Sequence, residues 1–169
     1  MQLRTSQTAL APFVAPAIHV ELTRLAEVRS FAAAVERSLG RSKIDALVLN
    51  AGGYAPGSTL EGYNATFVLN HLAHYLLIRL LWHRIRDGGM VLLTTSGTHD
   101  PAERTVVPPP LHANALWLAN PEVDPHRDPR PRTAAMRAYS SAKLCVVLTA
   151  RALDARHETR ARGITVLAY

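Results

Sequence analysis

Tyr139 and Lys143 stand four positions apart in the run Tyr139-Ser140-Ser141-Ala142-Lys143, and Leu144, Val147, Leu148, Ala152 and Leu153 continue at helical spacing to about His157. Residues i and i+4 of a helix lie one above the other, so a phenol and an ammonium become neighbours. A free tyrosine titrates at about pH 10 and is a poor proton donor at neutrality. An adjacent cation favours the phenolate, and the pair can then give a proton to a carbonyl oxygen or take one from an alcohol. The spacing alone is common, and a solvated pair on a helix surface is its ordinary meaning.

Other side chains have narrower readings. Ser96 follows the apolar run Met90 to Thr95, at the strand end where open parallel sheets bind ligands. It lacks a Gly-x-Ser-x-Gly frame, which argues against a hydrolase nucleophile. His71 and His74 could share a helix face, yet no third ligand has metal-binding spacing. The single cysteine, Cys145, sits among apolar residues and reads as core in a reduced, cytoplasmic protein. Trp117 reads as a loop anchor, since no basic and aromatic residues interleave around it as nucleic-acid binding would require.

These residues need elements to hold them. Ile18 to Leu22 could be a short strand, followed by Thr23 as a helix N-cap and by Val28, Phe31, Val35 and Leu39 at helical spacing until Gly40. Ile44 to Leu49 is an apolar strand that ends in Asn50-Ala51-Gly52-Gly53, where turn chemistry takes over. A long apolar helix is expected from about Tyr63 to Arg86, stopped by Gly88-Gly89. A strand from Met90 to Thr95 and a last strand from Ile164 to Tyr169 complete the pattern. Strands alternating with helices in this way imply a parallel sheet covered on both faces. Eight of the eleven prolines fall between Pro101 and Pro131, so about 98–136 reads as an insertion with one short turn at Trp117 and an exposed loop from His126 to Arg132.

The chain has 169 residues, 48% apolar and 19% charged, which suits one domain with a real core. Nineteen basic against thirteen acidic residues give a formal charge of +6 without any dense basic run, so a nucleic-acid partner is not expected. Residues 1–17 read as an irregular leader: Pro12 and Pro16 interrupt apolar patches too short to span a membrane.

Four strings taken in order carry a resemblance. They are Asn50-Ala51-Gly52, the Asn70 of Leu69-Asn70-His71-Leu72-Ala73-His74, Ser96-Gly97-Thr98-His99-Asp100-Pro101, and Tyr139-Ser-Ser-Ala-Lys143-Leu144-Cys145. Together they resemble the short-chain dehydrogenase/reductase family over about residues 18–169, nearest its protochlorophyllide-reductase and retinol-dehydrogenase-like branch. The resemblance implies an incomplete Rossmann-like doubly wound parallel sheet and an NAD(P)-dependent oxidoreductase acting on a small carbonyl or alcohol substrate, possible also as a homo-oligomer. Tyr139 would be the acid/base, Lys143 would assist it and hold the nicotinamide ribose, Ser96 would bind the substrate oxygen, and Asn70 would anchor a relay water. Asn50, Ala51 and Gly52 would flank the cofactor, NADP or NAD, and Glu21 would lie near its adenine end.

The resemblance has gaps. The family's Gly-x-x-x-Gly-x-Gly phosphate loop should precede Glu21, and no glycine occurs before Gly40. The alternative is therefore a catalytically inactive piece of this fold serving as a binding or assembly partner. The family's strand order implies that Ile44 to Leu49, Met90 to Thr95 and Ile164 to Tyr169 lie side by side and parallel. It leaves Ile18 to Leu22 detached or re-paired on the open edge of the Ile44 strand, an edge that invites another chain.

Overall fold

The computed structural model describes residues 17–169. All but the last residue of the expected leader lies outside the described residues. Three strands, β1 (Ile44–Leu49), β2 (Ile85–Leu93) and β3 (Thr165–Ala168), form one parallel sheet in the order β1-β2-β3. That is the adjacency expected of the Ile44, Met90 and Ile164 segments. Register pairs Leu47 with Val91 and Val91 with Val166, and likewise Leu49 with Leu93. Paired residues of a parallel ladder share a face, and alternation along each strand defines the opposite one. The face carrying Leu49, Val91, Leu93 and Val166 is buried against three helices.

Helix α1 (Leu25–Leu39) contributes Val28 and Ala32 to that core. It ends where Gly40 turns left-handed at φ 53°, a conformation that favours glycine. Its start differs from expectation. Arg24 is the N-cap and has no side-chain cap bond, while Thr23 points its hydroxyl at Glu21 over 2.8 Å. Ile18 to Leu22 is not a strand. It runs outside the sheet, with Val20 and Leu22 packed against the core, so apolar burial rather than pairing holds it.

The expected helix from Tyr63 to Arg86 is a composite. Asn64 caps α2 (Ala65–Phe67) by accepting the Phe67 N–H at 2.9 Å; a π-helical turn spans Val68–Leu72, α3 spans Ala73–Leu81, and a 3₁₀ turn closes Trp82–Arg84. β2 then begins at Ile85, five residues before Met90. Gly88-Gly89 therefore ends no helix: Gly88 adopts φ 72° inside a register irregularity opposite Ile44 to Ala46. A Cβ on Gly89 would lie 2.9 Å from the Arg86 carbonyl and 3.1 Å from that of Asp45, so close backbone approach requires glycine there.

The insertion is better ordered than its proline content suggests. α4 (Ala115–Ala119) carries Trp117, whose ring sits 5.5 Å from both His112 and His126, and His112 Nε2 meets Asp124 at 2.9 Å. α5 (Pro131–Asp154) starts earlier than expected because proline is tolerated in the first turn, where its missing N–H has no helical partner. Proline also keeps its carbonyl. Pro109 accepts from Arg137 at 2.6 Å and Pro108 from Ser140 at 2.7 Å, stapling the insertion to α5. α6 (His157–Ala161) leads into β3 through Arg162, which bonds Asp87 and the carbonyls of Trp82 and Ile85. No helix among the described residues is long and apolar enough to cross a membrane.

Two histidines are buried with α3 and the π turn. Burial lowers both from the usual 6.5 to about 4, with the Lys143 charge adding to the effect at His74. Below pH 6.5 the unfolded chain takes up protons that the folded histidines refuse, so their stabilising contribution is whole above 6.5 and lost as pH falls through 4. Each such shift corresponds to about 3 kcal/mol. Urea unfolding at pH 7.5 and 4.5 should show a smaller acid-induced loss for His74→Gln than for the wild type, by about 2 kcal/mol. An identical loss would show that His74 is solvated.

Candidate active site at the carboxyl edge of the sheet

β1 and β2 end together, and their exits are tied to each other. Asn50 Oδ1 accepts from the Thr94 hydroxyl at 2.9 Å, and the Thr94 N–H donates to the Leu49 carbonyl at 3.1 Å. α5 crosses this edge and is fixed twice at one residue. The Thr95 hydroxyl donates to the Lys143 carbonyl at 3.0 Å, while Lys143 Nζ donates to the Thr94 carbonyl at 2.9 Å. Lys143 is 2% exposed, and burial lowers its pKa. Its ammonium faces the Tyr139 ring at 5.6 Å from the centroid. The helical i, i+4 relation therefore does bring the phenol and the cation together.

Asn70 belongs to the same cluster. It lies in the π-helical turn, a feature frequent at functional sites. Its side chain is fully buried and engaged on both sides: Oδ1 accepts from Gly53 N–H at 3.0 Å, and Nδ2 donates to the carbonyls of Gly53 and Thr66, each at 2.7 Å. The amide thus clamps the loop after β1. Gly52 shows how tight that clamp is. A Cβ there would lie 2.7 Å from Asn70 Oδ1 and 3.1 Å from Lys143 Nζ. Asn50, Ala51 and Gly52 form a ledge at the exit of β1 whose Gly52 packs on Asn70 and Lys143.

Ser96 caps a 3₁₀ turn, Gly97–His99, that packs against α5. Its Oγ accepts from the Thr98 N–H at 3.4 Å and from the Thr98 hydroxyl at 3.2 Å, which leaves its own proton to donate. Glu21 is engaged elsewhere. Its carboxylate accepts from the Thr23 N–H at 3.0 Å and the Thr23 hydroxyl at 2.8 Å, and these bonds hold it below the usual carboxylate range. The Leu25 N–H next to it donates to Glu61 of the loop following β1.

The sequence reading missed Tyr54. Its ring stacks on Tyr139 at 4.9 Å and 30°, and burial, then the proximity of Tyr139, raise its pKa. The available signal was its place directly after a glycine pair at a strand exit. Cys145 is buried and its thiol is pushed up to about 11 by burial, so it is inert core. Among the described residues no three metal-ligating side chains cluster.

No family model matches the chain. A Streptomyces protein named as a daunorubicin C-13 ketoreductase is 31% identical over 152 residues, covering 88% of this chain and 47% of its own length. The chloroplast protochlorophyllide reductase of Chlamydomonas reinhardtii is 30% identical over 163 residues, covering 88% and 40%. A Mycobacterium paratuberculosis protein of solved structure superposes with a TM-score of 0.63 at 28% identity, over 88% of this chain and 47% of that one. A Burkholderia cenocepacia short-chain dehydrogenase solved with NADP shares the fold at a TM-score of 0.57 and 22% identity. The chain spans about half the length of these relatives. With three parallel strands in the implied order, helices packed on them and this set of relatives, the chain is an incomplete Rossmann-like fold and belongs to the short-chain dehydrogenase/reductase family.

Proposed function

We propose that the chain carries the proton-transfer side of an oxidoreductase that uses NADP or NAD and acts on a carbonyl or alcohol substrate. The observation that supports this reading most is the buried ammonium of Lys143, 2% exposed, beside Tyr139 and with a neutral carbonyl as its hydrogen-bond partner. Burying a cation without a counter-charge costs several kcal/mol, on the order of the whole stability of a marginal domain. Such costs concentrate where a group has chemical work.

In this reading Tyr139 gives its proton to the substrate carbonyl oxygen, and Ser96 donates Oγ–H to the same oxygen. The nearby Lys143 charge favours the negative charge that develops on the phenol. Lys143 spends one N–H on Thr94 and has two left for a ribose diol. Asn70 holds Gly53, and through it the ledge of Asn50, Ala51 and Gly52 beside which the nicotinamide ring would lie. A bound nicotinamide supplies the hydride. Glu21 would serve the adenine end.

The ribose end of the cofactor fits the residues present. Its pyrophosphate end does not, because among the described residues no glycine-rich turn leads from a strand into a helix N-terminus, where backbone N–H groups receive phosphate. That mismatch favours a second reading, in which these 169 residues by themselves are an inactive binding or assembly partner.

Gly52→Ala should destabilise the chain by about 1 to 3 kcal/mol, since a methyl at 2.7 Å from Asn70 Oδ1 must displace a side chain held by three hydrogen bonds. Urea denaturation reads this, and an unchanged midpoint would mean that the ledge is not closely packed on Asn70. The chemistry is tested in a chimaera in which this chain replaces the matched residues of the Streptomyces relative. NADPH-dependent carbonyl reduction should appear, and Tyr139→Phe should lower kcat by about 100-fold or more while NADPH affinity holds. A chimaera that binds NADPH and loses no rate on Tyr139→Phe would rule out Tyr139 as the acid.

A further inference from the structure

An acid that serves a substrate oxygen must keep its hydroxyl free, so hydrogen bonds to the protein cannot anchor its ring. Contacts on the ring have to do so. For Tyr139 the described residues supply the Lys143 ammonium, 5.6 Å from the ring centroid, and the Tyr54 ring, stacked at 4.9 Å and 30°. That separation lies in the range of about 4.5 to 7 Å at which aromatic pairs attract. Lys143 is fixed by Thr94.

Tyr54 is fixed in another way. It is 53% exposed in the loop after β1, so core packing does not hold it. Its neighbours are held instead. Asn70 bonds Gly53 through both the N–H, at 3.0 Å, and the carbonyl, at 2.7 Å. Thr66 holds Ala55 alike: its Oγ1 accepts from the Ala55 N–H at 3.1 Å and donates to the Ala55 carbonyl at 2.8 Å. The two clamps are joined, since Asn70 Nδ2 also donates to the Thr66 carbonyl. Thr66 and Asn70 are buried and stand four positions apart, on one face of the helical run. Buried polar groups thus fix the backbone on either side of Tyr54, and none of these bonds involves its side chain. Loop residues are ordinarily mobile, whereas this exposed ring is aimed. Burial, and then Tyr139 itself, raise the Tyr54 pKa, so Tyr54 stays a neutral phenol beside a Tyr139 on which negative charge develops.

We infer that Tyr54 is a positioning residue: its clamped ring sets the plane of the Tyr139 ring and with it the direction in which that phenol delivers its proton. The inference rests on the reading of Tyr139 as the acid. Displacing a reacting group by about 1 Å can cost about 100-fold in rate; with the Lys143 contact retained, loss of the stack should cost about tenfold.

The test has two arms. In the 169-residue chain, the Tyr139 ring-proton resonances, assigned by their disappearance in Tyr139→Phe, should move in Tyr54→Ala, because the ring current of a stacked neighbour is gone, and should hold in Tyr54→Phe. In the chimaera with the Streptomyces relative, Tyr54→Ala should lower kcat about tenfold while KM and NADPH affinity stay within about twofold, and Tyr54→Phe should keep kcat within about twofold. Tyr139 resonances indifferent to Tyr54→Ala would overturn the inference, as the rings would not be stacked in solution. A rate loss shared by Tyr54→Phe would overturn it too, by giving the role to the Tyr54 hydroxyl. A chimaera indifferent to Tyr139→Phe would retire the acid and the positioning role together; one that needs Tyr139 yet tolerates Tyr54→Ala would retire the positioning role alone.

Discussion

The carboxyl edge of this fold is organised by one buried cation. Lys143 Nζ reaches from α5 to the Thr94 carbonyl, and the Thr95 hydroxyl returns to the Lys143 carbonyl, so the helix and the end of β2 are joined in both directions at one residue. The ammonium occupies volume that a side chain at Gly52 would need. It also faces the Tyr139 ring. Ledge, Tyr139 ring and strand exit are thereby held in one mutual arrangement, and Asn70 closes the cluster from the π turn. Lys143→Ala would remove the cost of burial and also a link that touches all three parts.

The sheet that positions this cluster is finished on one side. Leu49, Val91, Leu93 and Val166 are buried under α1, α3 and α5, while Val48 and Leu167 of the same strands stand in solvent. The contrast is a matter of parity, since successive side chains of a strand point to opposite faces. It explains how a chain about half as long as its relatives can keep a packed core: all three helices cover the same face. Among the described residues no glycine-rich turn leads from a strand into a helix N-terminus on either face.

What could be read from residues alone follows the strength of local punctuation. β1 agrees at both ends because turn-forming residues bound a short run that is apolar but for Asp45, and α1 stops at Gly40 because the backbone turns left-handed there. The i, i+4 relation of Tyr139 and Lys143 was legible for the same reason, being set by helix geometry. Elsewhere local signals had two meanings. Gly88-Gly89 marks an irregularity within a strand instead of a helix end, and Pro131 opens a helix instead of lying in a loop. Ile18 to Leu22 has strand character yet packs without pairing, which only tertiary contacts decide. The π turn, the Tyr54 stack and the clamp of Asn70 on Gly53 arise from contacts between segments distant in sequence, and no spacing rule reports them.

The burial of Lys143 is accessible to direct measurement through the 13Cε resonance of labelled lysine, followed as a function of pH in the 169-residue chain. A buried ammonium in the described arrangement should titrate below the usual 10.5, because desolvation disfavours the charged form. A Lys143 resonance that titrates at or above 10.5 would place the ammonium in water, detached from Thr94 and Gly52, and would contradict the account of the site at its centre.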